Sequence, residues 1–347
     1  MNRPTRHRTA LTILGAAMSR RTLLQGVGAA ATTLAMPAVH AQTLTKVPFQ
    51  LSWIKTVQYG GLFAAQELGY FREVGIEPEW LSGGPNIDGV ATVATGKAMI
   101  GDRSTDPLII ARGRNIPVKI IAAIYNRSPA ALMSLSKAPI LSLKDMVNKT
   151  IAASPNLRPV LVSLMRGADL DPGTVKFVPV GTDPGLLASG QVDGYVGMSS
   201  TQGTTLKKRG ADIQTLHLSD IGARSYFCAL FVNDKVLNDQ PDLLRRFLVA
   251  SIRGHQYMLS NFDQVLKWTL DTYGVPGLDA GEQAAEGRAT IPYINMGEAG
   301  SKGLLWVEPS YLEPMIEVAV KSEMIPKSYP ISDLVDSSII SAAHRPA

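Results

Sequence analysis

One pattern occurs twice in this chain and limits its architecture more than any other feature. Val93-Ala94-Thr95-Gly96-Lys97-Ala98-Met99-Ile100-Gly101 is answered by Leu187-Ala188-Ser189-Gly190-Gln191-Val192-Asp193-Gly194-Tyr195. Each copy reads as a helix end, a glycine able to take the left-handed conformation, one polar residue, a small residue and a strand. Two βαβ lobes of related layout would produce this repeat, although any helix–glycine–strand joint looks similar. The rest of the chain supports an α/β reading, because short β-type runs alternate with helical ones. Strands are expected over 47–54, 76–81, 98–101, 118–124, 132–136, 149–153, 175–179, 193–198, 213–218 and 226–232. Helices are expected over 60–71, 86–95, 105–112, 142–145, 158–168, 183–189 and 202–209. After residue 232 the chain turns mostly helical, over 240–260, 263–273 and 309–322.

Ahead of these elements come an arginine pair, an apolar stretch and a small-residue box. They are Ser19-Arg20-Arg21-Thr22-Leu23-Leu24-Gln25, then Gly26 to Met36, then Ala38-Val39-His40-Ala41. This is the layout of a twin-arginine export signal with an A-x-A cleavage site. The expected mature protein begins at Gln42 and is periplasmic. Met18 directly precedes the motif, so a start at Met1 or at Met18 fits equally. The apolar stretch is too short, and too rich in Ala, Gly and Thr, to span a membrane. No later segment reaches spanning length without charges, so a soluble mature protein is expected.

The signal changes how the composition is read. The whole chain carries a net charge of +5 and a pI near 9.2. Residues 1–41 hold Arg3, Arg6, Arg8, Arg20 and Arg21 and no Lys, Asp or Glu. Taking those five from the 34 basic residues leaves 29, equal to the 29 acidic ones. The basic pI is therefore no sign of a nucleic-acid-binding face. The single cysteine, Cys228, excludes an internal disulfide and a multi-cysteine metal site. Its neighbours Tyr226, Phe227, Ala229, Leu230 and Phe231 mark it as a packed core thiol. The histidines are scattered, and no G-x-S-x-G, H-E-x-x-H or Walker A pattern occurs. No catalytic residue, metal or cofactor is expected.

Polar and aromatic groups instead cluster just after strand ends, where open α/β sheets bind ligands. Trp53, Gln58 and Tyr59 follow the first strand, and Gly83, Gly84 and Asn86 the second. Ser104 and Thr105 follow the third, and Tyr125 and Asn126 the fourth. In the second half Ser154, and then Ser199, Ser200 and Thr201, hold corresponding places. Trp53 and Tyr59 offer flat faces for stacking. The Gly83-Gly84-Pro85-Asn86 turn offers backbone N–H groups ahead of a helix. Arg103 and Arg158 stand near these loops and would favour a carboxylate or sulfonate.

These residues resemble a known family. Leu51-Ser52-Trp53, Gly60 to Phe71, Val74-Gly75-Ile76, Ser82-Gly83-Gly84-Pro85, Ala131 to Leu135 and Gly190 to Tyr195 are similar to the nitrate, sulfonate and thiamine-pyrimidine-precursor group of extracytoplasmic solute-binding proteins. The resemblance implies a type 2 periplasmic binding protein, with two α/β lobes joined by a two-strand hinge that closes on a ligand. It places the export signal at 1–41, lobe 1 at 42–130 and 226–347 (with the C-terminal helices), and lobe 2 at 131–225. It implies a monomeric receptor that hands a small organic solute to an ABC permease and ATPase complex, with no nucleic acid involved. In this picture Trp53 stacks on the ligand, the 83–86 turn donates to it, and Ser104, Thr105, Ser199, Ser200 and Thr201 line the cleft. A pyrimidine-like heterocycle is favoured, with a sulfonate, nitrate or aromatic carboxylate as the alternative. The first loop carries Lys55-Thr56-Val57-Gln58 where an acidic residue and paired aromatics would be expected. A sensor built on the same fold and, more remotely, a pyrimidine-precursor synthase are the other readings.

Overall fold

The computed structural model describes residues 44–84, 86–154 and 157–345. The expected export signal, Pro85 and Asn156 lie outside them. Ten strands form two five-stranded sheets. The first contains β1 (Thr45–Gln50), β2 (Ile76–Leu81), β3 (Ile100–Arg103), β4 (Val118–Tyr125) and β10 (Phe227–Asn233). The second contains β5 (Ala130–Leu135), β6 (Thr150–Ala153), β7 (Lys176–Pro179), β8 (Gly194–Met198) and β9 (Ile213–His217). Their orders are β2-β1-β3-β10-β4 and β7-β6-β8-β5-β9. Overlaying β1, β2, β3, β4 and β10 on β6, β7, β8, β9 and β5 turns one order into the other.

In each sheet four strands run parallel and one runs against them. The exception is β10 in the first sheet and β5 in the second. Each reversed strand is the one that enters from the other sheet. β5 follows β4 after Tyr125, and β10 follows β9 after His217. The carboxyl ends of β1–β4 and of β6–β9 therefore lie beside the same two crossovers. This is the two-lobed α/β architecture that the resemblance implied.

The repeated joint explains part of this symmetry. Thr95 and Ser189 close their helices at φ −84°, ψ −3°, and Gly96 and Gly190 follow at φ +77° and +71°. Gly96 N–H donates to Val93 O and Lys97 N–H to Thr92 O, both at 3.0 Å. Gly190 N–H donates to Leu187 O at 3.0 Å and Gln191 N–H to Leu186 O at 2.9 Å. These paired bonds satisfy the last helical carbonyls in the same way in both lobes. The strand that each joint launches, β3 or β8, then takes the central position of its sheet.

The first lobe holds the larger core. Ile76, Pro78 and Trp80 of β2 point inward while Glu77 and Glu79 point out, as the period of a strand requires. Trp80 meets the edge of Phe49 at 5.4 Å, and Phe49 stacks on Phe247 at 5.8 Å. Phe247 belongs to the helix Pro241–Ser260, which crosses the helix Gly60–Glu67 at Gly61 and Gly254.

His255 is buried in this crossing. Its Nδ1–H donates to Ser251 O at 2.8 Å, and Nε2 has no hydrogen-bond partner. Burial pushes its pKa down to about 4 from the usual 6.5. The native state thus holds His255 neutral while the unfolded chain takes up a proton below about 6.5. The stability linked to this group is present above pH 6.5 and is lost as pH falls towards 4, to a total of about 3 kcal/mol. Urea unfolding at pH 7 and pH 4.5 is expected to show a larger loss in wild type than in His255→Leu, by about 2 kcal/mol. Asp102 and Glu286, whose pKa values are raised, pull in the opposite direction but are common to both chains and cancel. Equal pH slopes would mean that the imidazole is solvated.

Candidate functional site

The end of β1 is held from three sides. Asp102, on the neighbouring β3, accepts the Ser52 N–H at 2.8 Å and the Ser52 hydroxyl at 2.5 Å. Tyr59 Oη accepts the Trp53 N–H at 3.0 Å and lies 3.0 Å from Ser52 Oγ. The Gly83 N–H donates to Trp53 O at 3.0 Å, joining the ends of β1 and β2. The Trp53 backbone is therefore fixed while its side chain is 40% exposed. A tethered backbone under an uncovered indole leaves a fixed aromatic face open to solvent.

Tyr59 does not share that role. It was expected to offer a second stacking face, but it is fully buried, with its ring in the core against Phe63. Its hydroxyl holds the Trp53 backbone from within the core. Gly83 also differs from expectation. A Cβ there would lie 2.1 Å from Leu51 O and 2.7 Å from Trp53 N, so glycine is needed by the adjacent strand end. Gly84 has φ +153° and open space around it, and Asn86 is exposed.

Beneath Trp53 lies a buried polar network. Gln58 Nε2 donates to Cys228 Sγ at 3.0 Å, and Tyr125 Oη donates to Gln58 O at 2.9 Å. Burial pushes Asp102 up to about 6, against the pull of its bonds from Ser52, and pushes the Cys228 thiol well above its ordinary range. The thiol thus joins two lobe 1 elements and is not held as a thiolate. Sequence reasoning missed Asp102, because one acidic residue in a strand looks like an outward-facing one.

Thr105, expected to face the cleft, is fully buried. Its hydroxyl lies 3.0 Å from Ser225 Oγ and accepts the Tyr226 N–H, tying β3 to the second crossover. Ser104 is half-buried just before the helix Thr105–Gly113. Asn126 is fully buried at the first crossover, where its N–H donates to Tyr293 O at 2.8 Å and its Oδ1 has no partner. Arg158 lies over the Phe177 ring within lobe 2. Ser154 is half-buried at the end of β6.

The remaining expected residues meet an element that the sequence reading did not identify, the helix Ala280–Ile294. This helix touches both lobes. Gln283 Oε1 accepts the Val57 N–H at 2.9 Å, and Tyr293 Oη lies 3.2 Å from Ser199 Oγ. Glu286, on the same helix, is half-buried and pushed up to about 6 by burial. Ser199 also donates to Pro129 O at 3.1 Å, at the entry to β5. Thr201 donates to Gln202 Oε1 at 2.9 Å, which also accepts the Met198 N–H at 2.8 Å. Ser200 is buried, and its carbonyl accepts the Thr204 hydroxyl. Between the segment 199–207, β9 and the helix Ala280–Ile294 lies a cavity of about 280 Å³. Ser199 and His217, at the carboxyl ends of β8 and β9, are part of its lining.

The strand ends of the two sheets are thus linked by the helix Ala280–Ile294, which together with the segment 199–207 and β9 lines a cavity. The chain belongs to the NMT1/THI5-like family, whose model matches residues 56–264. It is 26% identical over 249 residues to the riboflavin-binding protein RibY of Chloroflexus aurantiacus, covering 70% of each chain. It is 26% identical over 230 residues to the formylaminopyrimidine-binding protein of Halalkalibacterium halodurans, covering 65% of this chain and 70% of that one. A 4-amino-5-hydroxymethyl-2-methylpyrimidine phosphate synthase of Legionella pneumophila is 23% identical over 218 residues, covering 61% and 69%. In three dimensions the fold is similar to the periplasmic sulfonate-binding protein SsuA of Methylobacillus flagellatus KT. The TM-score is 0.64 at 17% identity, over 87% of this chain and 94% of that one.

Proposed function

We propose that this protein is the substrate-binding component of an ABC importer and captures a small heterocyclic solute between its lobes. The observation that carries the reading is the shared orientation of the two sheets. Both present their carboxyl strand ends at the same pair of crossovers, with the exposed Trp53 on one side and the cavity beside Ser199 on the other. Relatives named for riboflavin and for formylaminopyrimidine support a flat, nitrogen-rich ligand. The synthase relatives favour a second reading, pyrimidine-precursor chemistry. The buried Cys228 thiol, which burial pushes well above its ordinary range and which packs against Gln58, favours binding over that reading.

A thermal-shift panel of riboflavin, aminopyrimidines and aryl sulfonates tests the proposal. A ligand at a hundred times its Kd adds about 2.7 kcal/mol to the folded state and raises the melting temperature. Failure of every class, with the protein folded and empty, would count against a transport receptor.

Delivery to an importer places the protein in the periplasm, and we assign export to the Arg20-Arg21 segment. Among the described residues no helix is long and apolar enough to cross a membrane. Arg20→Lys combined with Arg21→Lys is expected to leave precursor in the cytoplasm. Deletion of residues 2–17, with Met18 as the start, is expected to export normally. Periplasmic accumulation of the double-lysine variant at the wild-type level would contradict the assignment.

A further inference from the structure

We infer that the cavity on the lobe 2 side of the cleft is an oxyanion pocket, so the solute is a flat ring system bearing a carboxylate, sulfonate or phosphate. This inference rests on the receptor reading and specifies its ligand.

Three elements each turn one face into the cavity. Ser200, Gly203, Thr204 and Lys207 recur at the spacing of a single helical face. Thr215 and His217 alternate along β9 and so share one face of that strand. Ala289 and Tyr293 lie one turn apart on the helix Ala280–Ile294. Where three elements converge, a folded protein ordinarily places apolar side chains. Here, beside Gly203 and Ala289, the positions hold hydroxyls, an imidazole and a phenol, with the exposed Lys207 ammonium at the edge.

The chemistry of the lining is one-sided. Lys207 brings three donors and a positive charge, and hydroxyls and imidazole nitrogens donate as needed. No carboxylate lines the cavity, and Lys207 forms no ion pair among the described residues. The nearest acid on the helix face is Glu286, one turn before Ala289. It is bonded by Gln283 and lies towards Tyr125 and Cys228, under lobe 1. A charge-assisted bond from the Lys207 ammonium to an oxyanion, with a further hydrogen bond from the His217 imidazole, is the strong interaction this site can make. The volume of about 280 Å³ exceeds what one such group fills, leaving room for the ring that carries it.

Inorganic sulfate, titrated into the full mature chain at constant ionic strength against chloride, tests the pocket. The readout is the imidazole NMR signals of His217, with His344 as an internal reference outside the cavity. Sulfate is expected to move the His217 signals saturably and leave those of His344 in place. Lys207→Met is expected to weaken the response by about tenfold, the equivalent of about 1.4 kcal/mol. A linear response, or the same midpoint in Lys207→Met, would overturn the pocket. If a neutral solute stabilises the protein while sulfate gives no saturable response, the receptor reading stands and the oxyanion pocket falls. If sulfate binds through Lys207 and no solute of any class stabilises the protein, the pocket stands and the receptor reading falls.

Discussion

Gly254→Leu is expected to abolish folding of the first lobe. At the crossing of the helices Gly60–Glu67 and Pro241–Ser260, a Cβ on residue 254 would lie 2.1 Å from Gly61 O and 2.6 Å from the Ala65 Cβ. On the facing helix a Cβ at residue 61 would lie 2.3 Å from the His255 ring. The atoms in the way at residue 254 are backbone and a Cβ, which cannot swing aside like the tip of a long side chain. Separating the helices would uncover Phe63, Phe247 and the buried face of the first sheet. Overpacking a core ordinarily costs about 1–3 kcal/mol. A clash that parts two helices costs more, against a total stability of about 5–15 kcal/mol. Gly167→Ala is the control. It ends the helix Arg158–Gly167 with nothing within 4 Å of the new carbon, and alanine suits a helix better than glycine by about 1 kcal/mol. Circular dichroism and urea unfolding would show the difference. A Gly254→Leu protein with a wild-type unfolding midpoint would mean the helices do not cross there.

Trp53→Ala is expected to produce the largest loss of affinity that leaves folding intact. The indole is exposed, so removing it uncovers little core. The backbone bonds from Tyr59 and Gly83, and the hold of Asp102 on Ser52, do not depend on the side chain. Stacking contributes about 1 kcal/mol beyond area burial. With the buried area added, affinity should fall by roughly ten- to a hundredfold. Trp268 supplies the contrast. It stacks on Tyr257 at 5.8 Å, away from the strand ends. Trp268→Ala is expected to lower stability and leave affinity unchanged. Calorimetry on both variants with the solute that stabilises wild type separates them. Reversed effects would mean the site lies elsewhere.

Much of the lobe architecture could be read from the chain because its signals are local. A glycine after an apolar helix end, followed by a small residue and a β-type run, marks the joints at Gly96 and Gly190. All ten strands carry β-type runs bounded by turns. The first strand stops at Gln50 and not at Ile54, because the chain from Leu51 to Trp53 bends to meet Asp102 and Tyr59. That is a long-range cause, and local propensity does not encode it. The helix Ala280–Ile294 went unread for a different reason. Gly281, Gly287 and Pro292 count against a helix locally, and its apolar residues form no clear stripe. Gly287 is required because the Phe262 ring would lie 2.4 Å from a Cβ there. Pro292 is tolerated within the last turn. The helix exists because both lobes hold it, through Val57 on one side and Ser199 on the other. The site divides along the same line. Trp53, just past the end of a clear strand, is exposed, whereas Tyr59 and Thr105 are core. Tyr293, which lines the cavity, is supplied by the helix that local signals do not mark.

Native mass spectrometry of the protein purified gently from periplasm tests the central claim most directly. The account predicts one small molecule bound per chain, released unchanged on denaturation and missing from Trp53→Ala prepared in parallel. A folded wild-type protein that carries no solute from any extract, or that converts the bound molecule into another on incubation, would contradict it.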